Sequence, residues 1–270
     1  PINYKNNSNF ILFRLNTLLQ NNILKYADCV THVSHGIATK FNSKYNEKFI
    51  YLPNGFDSDD LLNFNTRKDN IETSVLTISY VGSLYGGQRS VEPLFKAIKI
   101  LQEGDLYTKI RFLYAGKEFP TLYAQAEKYG VEGILEDKGF VSRMDAISIQ
   151  MGSDIVIVAT WNTIEDQGIL TGKLLECLLT RKTMLGLVSG TKPLSELYQV
   201  VNDINGGYVL EEASLNYVND FKELQKFLIK KYNEKIEQGN VANQYNKKIK
   251  EFEYESIIEK LFILIKNEIN

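Results

Sequence analysis

The sequence predicts an α/β protein built on a parallel sheet with helices over both of its faces, and three observations support this. Short apolar runs such as Ile155-Val156-Ile157-Val158-Ala159 read as strands buried on both sides. Amphipathic stretches of helical spacing separate these runs, and strands alternating with helices imply crossovers between parallel neighbours. The composition agrees: 270 residues, 44% hydrophobic and 24% charged, suit a globular chain of one to two domains.

The elements follow in order along the chain. Residues 9–25 carry Phe10, Phe13, Leu18 and Ile23 at the spacing of an amphipathic helix. A basic helix of this kind can lie on a membrane, but packing on a sheet is the preferred reading. A strand is expected at 29–34, a helix at 37–45 and a strand at 49–52. Pro53-Asn54-Gly55-Phe56-Asp57 is a turn, and the polar stretch to Ser74 makes 53–74 the best candidate linker. Beyond it a regular series begins. Strands are expected at 76–81, 109–115, 135–140, 155–159, 183–187 and 208–210, with helices at 92–101, 122–129, 144–150, 172–180 and 194–201. Residues 216–270 read as lysine-rich helices packing along one face. The expected organisation is a partial α/β domain at 1–52, the linker, a main domain at 75–215 and the C-terminal helices.

Composition also excludes function classes. A net charge of −2 carries no nucleic-acid footprint, and no apolar run reaches the roughly 20 residues that span a bilayer. Cys29 and Cys177 are far apart, show no metal or redox spacing and sit in apolar contexts, as reduced core cysteines of a cytoplasmic protein would. With only His32 and His35 present, a histidine-rich metal site is not expected, and both read as structural. The chain begins at Pro1 rather than methionine, as a piece of a longer protein would.

The chemistry concentrates after the 155–159 strand. Thr171-Gly172-Lys173-Leu174-Leu175-Glu176 reads as a helix start, with Thr171 as N-cap and Gly172 keeping the first turn open. Unpaired N–H groups, the helix dipole and Lys173 together attract a phosphate. One turn on, Glu176 offers two acceptors for vicinal hydroxyls such as those of a ribose. Taken alone, such a turn is equally a structural one. It is not an ordinary P-loop, because Gly168 to Gly172 is one residue too short and Leu174 replaces the Mg²⁺-binding hydroxyl. A second loop, Gly82-Ser83-Leu84-Tyr85-Gly86-Gly87-Gln88-Arg89, follows the 76–81 strand. Its glycines let a backbone approach phosphate, and Arg89 offers a planar fork for phosphate oxygens. Both loops leave the carboxyl ends of strands, where doubly wound, Rossmann-like sheets bind ligands. Arg89 and Lys173 facing one helix start would suit a diphosphate and stabilise its leaving charge without requiring a metal or cofactor.

A set of motifs in fixed order adds to this. Ala27, Asp28, Val33, Ser34 and Gly36 are followed by LPNGFD at 52–57, YVGSLYGGQRS at 80–90 and LYAGKE at 113–118. Then come GFVSRMDA at 139–146, GSDIVIV at 152–158 and TGKLLECL at 171–178. In order and spacing the chain resembles the retaining, family-4-type glycosyltransferases of the GT-B fold that build bacterial surface polysaccharides. The resemblance implies a nucleoside-diphosphate-sugar donor and a glycan or lipid-linked acceptor. It implies a cytoplasmic enzyme, in part at the inner membrane face, whose residues 1–52 are the end of an otherwise missing N-terminal domain. It assigns Gly82, Ser83 and Arg89 to the donor diphosphate, the Val141 segment to the nucleobase, Thr171, Gly172, Lys173 and Leu174 to the phosphate-binding helix start, and Glu176 to the ribose. Many members read E-G-F-G-L-x-x-x-E, with the first glutamate on the donor sugar; here Gly168 stands at that position, and Glu165 or Asp166 are the nearby acids. Trp161 reads as a shaper of the sugar pocket or a loop anchor. A sugar-nucleotide 2-epimerase and a non-catalytic nucleotide-sugar-binding module are the alternatives.

Overall fold

The computed structural model describes residues 10–39, 47–63, 74–103, 109–242 and 244–269. The expected helix at 37–45 and the linker at 53–74 therefore lie partly outside the described residues. Helix α1 (Phe10–Tyr26) precedes a two-stranded parallel sheet, β1 (Val30–His32) with β2 (Phe49–Tyr51), and the short α2 (His35–Ala38) between them. Helix α2 starts two residues before the sequence expectation because Ser34 is its N-cap, accepting from the Ile37 amide.

The larger sheet holds β3 (Leu76–Val81), β4 (Ile110–Ala115), β5 (Leu135–Asp137), β6 (Ile155–Trp161), β7 (Thr183–Ser189) and β8 (Gly207–Glu211). All neighbours are parallel, in the order β5-β4-β3-β6-β7-β8. The alternation of side chains explains the unbroken apolar runs. Along β6, Ile155, Ile157 and Ala159 face one core while Val156 and Val158 face the other. The first core is closed by α3 (Glu92–Glu103), α4 (Phe119–Glu127) and α8 (Tyr217–Gln238). The second is closed by α5 (Arg143–Met151), α6 (Gly172–Thr180), α7 (Glu196–Asp203) and the 3₁₀ turn at Lys247–Phe252. Helix α9 (Tyr254–Ile269) ends the described chain.

Two details tie the chain together. Phe56 is buried in the second core, and it exchanges backbone hydrogen bonds with Phe252 and Tyr254. At the amino edge of the sheet the Lys235 ammonium, 1% exposed, is held 2.9 Å from Asp154, whose other oxygen accepts from the Thr77 amide. The two cysteines differ: Cys177 is buried, and burial pushes its thiol up to about 12, whereas Cys29 is half-buried. Among the described residues no helix is long and apolar enough to cross a membrane.

Candidate functional site

Strands β3 and β6 are neighbours, and the chain order turns back between them: β4 and β5 continue on one side, β7 and β8 on the other. In a parallel sheet the loops after such a pair diverge and leave a crevice at their carboxyl ends. The loops in question are 82–89 and 162–171, the two that the sequence singled out.

Gly82 adopts a φ of 146°, in the region that favours glycine. A Cβ built there would lie 3.9 Å from the side-chain carbons of Lys173, so the lysine stem runs along the loop backbone. The start of α6 thus approaches the loop after β3. The Lys173 ammonium forks onto Glu176, at 2.8 and 2.7 Å from its two oxygens. One of those oxygens also accepts from the Gln150 amide at 2.8 Å. The cation and the acceptor expected for ribose are therefore partners of each other in this structure.

At the start of α6, Thr171 occupies the N-cap position with extended backbone, but its hydroxyl makes no capping bond and is buried without a partner. A Cβ on Gly172 would meet open space. Of the first-turn amides, that of Leu174 closes onto the Thr171 carbonyl, whereas those of Gly172 and Lys173 precede the first intrahelical acceptor and point out of the helix start. Leu174 differs from its sequence assignment: its side chain is 1% exposed in the second core and its N–H closes onto the Thr171 carbonyl. It packs the helix down and offers nothing to the crevice.

Arg89 was expected as an open fork. It is instead 8% exposed, with its guanidinium 4.3 Å from the Tyr85 ring and 5.4 Å from the Trp161 ring. These rings meet edge to face at 5.6 Å. One guanidinium nitrogen donates to the Ser83 carbonyl at 3.2 Å, and Nε is buried without a partner. The same carbonyl accepts from Tyr80, whose hydroxyl burial pushes up to about 12. Arg89 thus reaches Ser83 from within the loop, while Lys173 approaches the adjacent Gly82 from α6. The Ser83 hydroxyl and the amides of Leu84, Tyr85 and Gly86 all donate to the carboxylate of Glu118.

Val141 lies after the turn at Gly139, half-buried against Val81, Ala115 and Ala146. Beside it Phe140 is 76% exposed, outside the strand expected to hold it, with the Lys117 ammonium 4.4 Å from its ring centre.

Gly168 is buried with φ 70°, and a Cβ there would fall 1.9 Å from the Ser34 hydroxyl and 2.8 Å from a Glu196 oxygen. No glutamate fits in this backbone. Ser34, His35 and Gly36 of the β1–α2 turn donate to the Glu196 carboxylate at 2.7, 2.8 and 3.3 Å. Glu165 is exposed, and the Asp166 amide donates to the Thr163 hydroxyl. His35 stacks on Tyr51 at 4.2 Å and His32 donates to the Ser34 carbonyl, which agrees with their structural reading. Glu118, Gln150, Tyr85 and Glu196 escaped the sequence reading. Only the order Glu118-Phe119-Pro120, an acid at a helix start with proline inside it, hints at a capping position for the first.

Comparison with known proteins places this geometry among glycosyltransferase folds. No family model matches the chain, and no curated protein matches it. Many solved structures do. WaaG, a glycosyltransferase involved in lipopolysaccharide biosynthesis, matches with a TM-score of 0.54 at 19% identity, over 74% of this chain and 53% of that one. A glycosyltransferase from Rickettsia africae matches at 0.60 and 15% identity, over 93% of this chain and 68% of that one. Anabaena Alr3699/HepE in complex with UDP-glucose matches at 0.58 and 13% identity, over 94% and 68%. The chain spans about half to two thirds of the length of these proteins. Its parallel sheet with flanking helices is the fold that GT-B glycosyltransferases share.

Proposed function

We propose that this chain is the donor-binding half of a retaining glycosyltransferase of the family-4 type, using a nucleoside-diphosphate sugar. The observation that carries the reading is the approach of the Lys173 side chain, at the first turn of α6, to Gly82 at the switch point of the sheet, within 3.9 Å of where a Cβ on that glycine would stand. The first-turn amides and Lys173 grip the diphosphate, whose negative charge grows as the sugar departs. The ion pair explains how nucleotide recognition couples: a diphosphate draws Lys173 away from Glu176, and the ribose hydroxyls take the freed carboxylate. Val141 and its neighbours border the base. Arg89 supports the loop, since its guanidinium is packed between rings. The acceptor is a glycan or lipid-linked glycan of a bacterial surface polysaccharide, and the setting is the cytoplasm, in part at the inner membrane face.

A further α/β unit belongs beside residues 10–52. This is supported by the outward apolar residues Leu15, Leu18, Leu19 and Ile23 of α1, next to a sheet that has two strands among the described residues. A second reading is a nucleotide-sugar-binding module without turnover.

The test is calorimetric titration with UDP, GDP and their sugars. Lys173→Ala should weaken diphosphate binding about tenfold or more, the equivalent of one lost charge-assisted contact. If no nucleotide binds, or if Lys173→Ala and Glu176→Ala bind as the parent does, the donor site is wrongly assigned. Binding without turnover when the missing unit is supplied would favour the module.

A further inference from the structure

The Gly-rich loop carries an anion of its own. Glu118 sits between β4 and α4, and its carboxylate accepts from the amides of Leu84 at 2.7 Å, Tyr85 at 3.2 Å and Gly86 at 2.8 Å, besides the Ser83 hydroxyl. Successive amides converging on one point form an anion-binding concavity of the kind that holds phosphates. Tyr85 and Gly86 have φ of 51° and 62°, a left-handed pair that aims the amides inward and that is unfavourable for tyrosine. A second tie runs in parallel: the Glu118 amide donates to the Tyr114 hydroxyl, which donates to the Gly82 carbonyl. The hydrogen bond from Ser83, then that from the Gly86 amide, holds the Glu118 carboxyl below the usual carboxylate range.

We infer that Glu118 is a positioning residue: an internal carboxylate that fills the concavity of the 83–86 loop and latches Tyr85 over Arg89 and Trp161. Two consequences follow. The loop amides are committed to Glu118 and do not take phosphate, so the loop contributes shape rather than donors. The grip on the diphosphate then falls to Lys173 and the start of α6, a consequence that rests on the nucleotide reading above; the latch itself does not.

Trp161 is the only tryptophan of the chain, so its fluorescence reports the stack directly. The experiment compares wild type, Glu118→Ala and the isosteric Glu118→Gln in the full chain. Emission, acrylamide quenching and far-ultraviolet dichroism are recorded, followed by titration with UDP and with inorganic pyrophosphate. With the latch gone, Tyr85 and Arg89 leave the indole. The emission should shift and quenching increase while the dichroism stays unchanged. UDP binding should weaken by up to about tenfold through the displaced loop. Glu118→Gln, which keeps one acceptor oxygen, should fall between the two, and it decides the matter if Glu118→Ala does not fold. Unchanged Trp161 emission and quenching in the variants would overturn the latch. Tighter pyrophosphate binding by Glu118→Ala would support it, since the amides of the vacated concavity would then take the anion. If wild type binds no UDP yet Trp161 responds to the substitutions, the latch stands and the donor reading falls.

Discussion

Replacing Glu196 with alanine should detach the β1–α2 turn from the main sheet. The carboxylate is 8% exposed and accepts three hydrogen bonds, from the Ser34 hydroxyl and the amides of His35 and Gly36. A hydrogen bond to a charged group contributes about 1.5–3 kcal/mol net, so three would sum to several kcal/mol. Water entering the vacated space recovers part of this, and the bonds are not additive. The expected loss is about 3 kcal/mol, the scale of breaking a buried charged contact. For a chain of this size each kcal/mol moves the melting temperature by about 2–4 °C, so Tm should fall by roughly 10 °C. Urea unfolding followed by dichroism and by Trp161 emission gives the free energy. It also shows whether residues 10–52 part first, as an early phase invisible to Trp161. Glu196→Gln keeps the shape and one acceptor, and should cost about half as much. A loss below about 0.5 kcal/mol, the range of an uninvolved surface change, would refute the argument that this carboxylate joins the two parts.

Other substitutions test the site from different sides. Gly168→Glu places at this position the acid that the sequence resemblance leads one to expect, but its Cβ would strike the Ser34 hydroxyl at a positive φ. It should lose about 2 kcal/mol or more in thermal melts and gain no sugar affinity. Glu176→Gln releases Lys173 from its ion pair, so calorimetry should find inorganic pyrophosphate bound about threefold tighter and UDP about tenfold weaker. A loss on both ligands would mean that Glu176 serves only to hold Lys173. Burial raises the Cys177 thiol to about 12, and a raised thiol pKa keeps the neutral form up to that pH. At pH 8 the buried Cys177 thiol stays neutral and out of reach, so a thiol reagent should titrate Cys29 in the native protein and Cys177 only after denaturation.

How much of this could be read in the sequence depended on whether the cause was local. Strand β3 and helix α6 keep their expected bounds, because an apolar run and a cap-like start followed by helical spacing are signals within a few residues. Strand β5 stops at Asp137, three residues short, since Gly139 turns the chain at φ 67° and sends Phe140 into solvent. Apolarity alone suggested a buried strand there. Within the site, the meeting of Gly82 with Lys173 was legible because each follows a strand of the same sheet. The packing of Arg89 against Tyr85 and Trp161 was not, for an arginine beside glycines looks alike whether it faces solvent or an indole. Glu118 acts on amides 32–34 residues away and Glu196 on amides 160 and 161 residues away, and a contact between a carboxylate and a distant backbone leaves no periodic trace.

The parallel order of the sheet also decides when the chain is vulnerable during synthesis. Strand β3 can pair with β4 soon after both emerge, but its other edge waits for β6, some 77 residues on. At about 5–20 residues per second of translation, that edge stays unpaired for roughly 4–15 s. For that interval the ribosome carries an apolar strand with an open row of donors and acceptors, the geometry from which strand-to-strand aggregation starts. Chains ending shortly before Ile155 should therefore be insoluble, whereas chains extended through β7 should tolerate loss of the terminal helix far better.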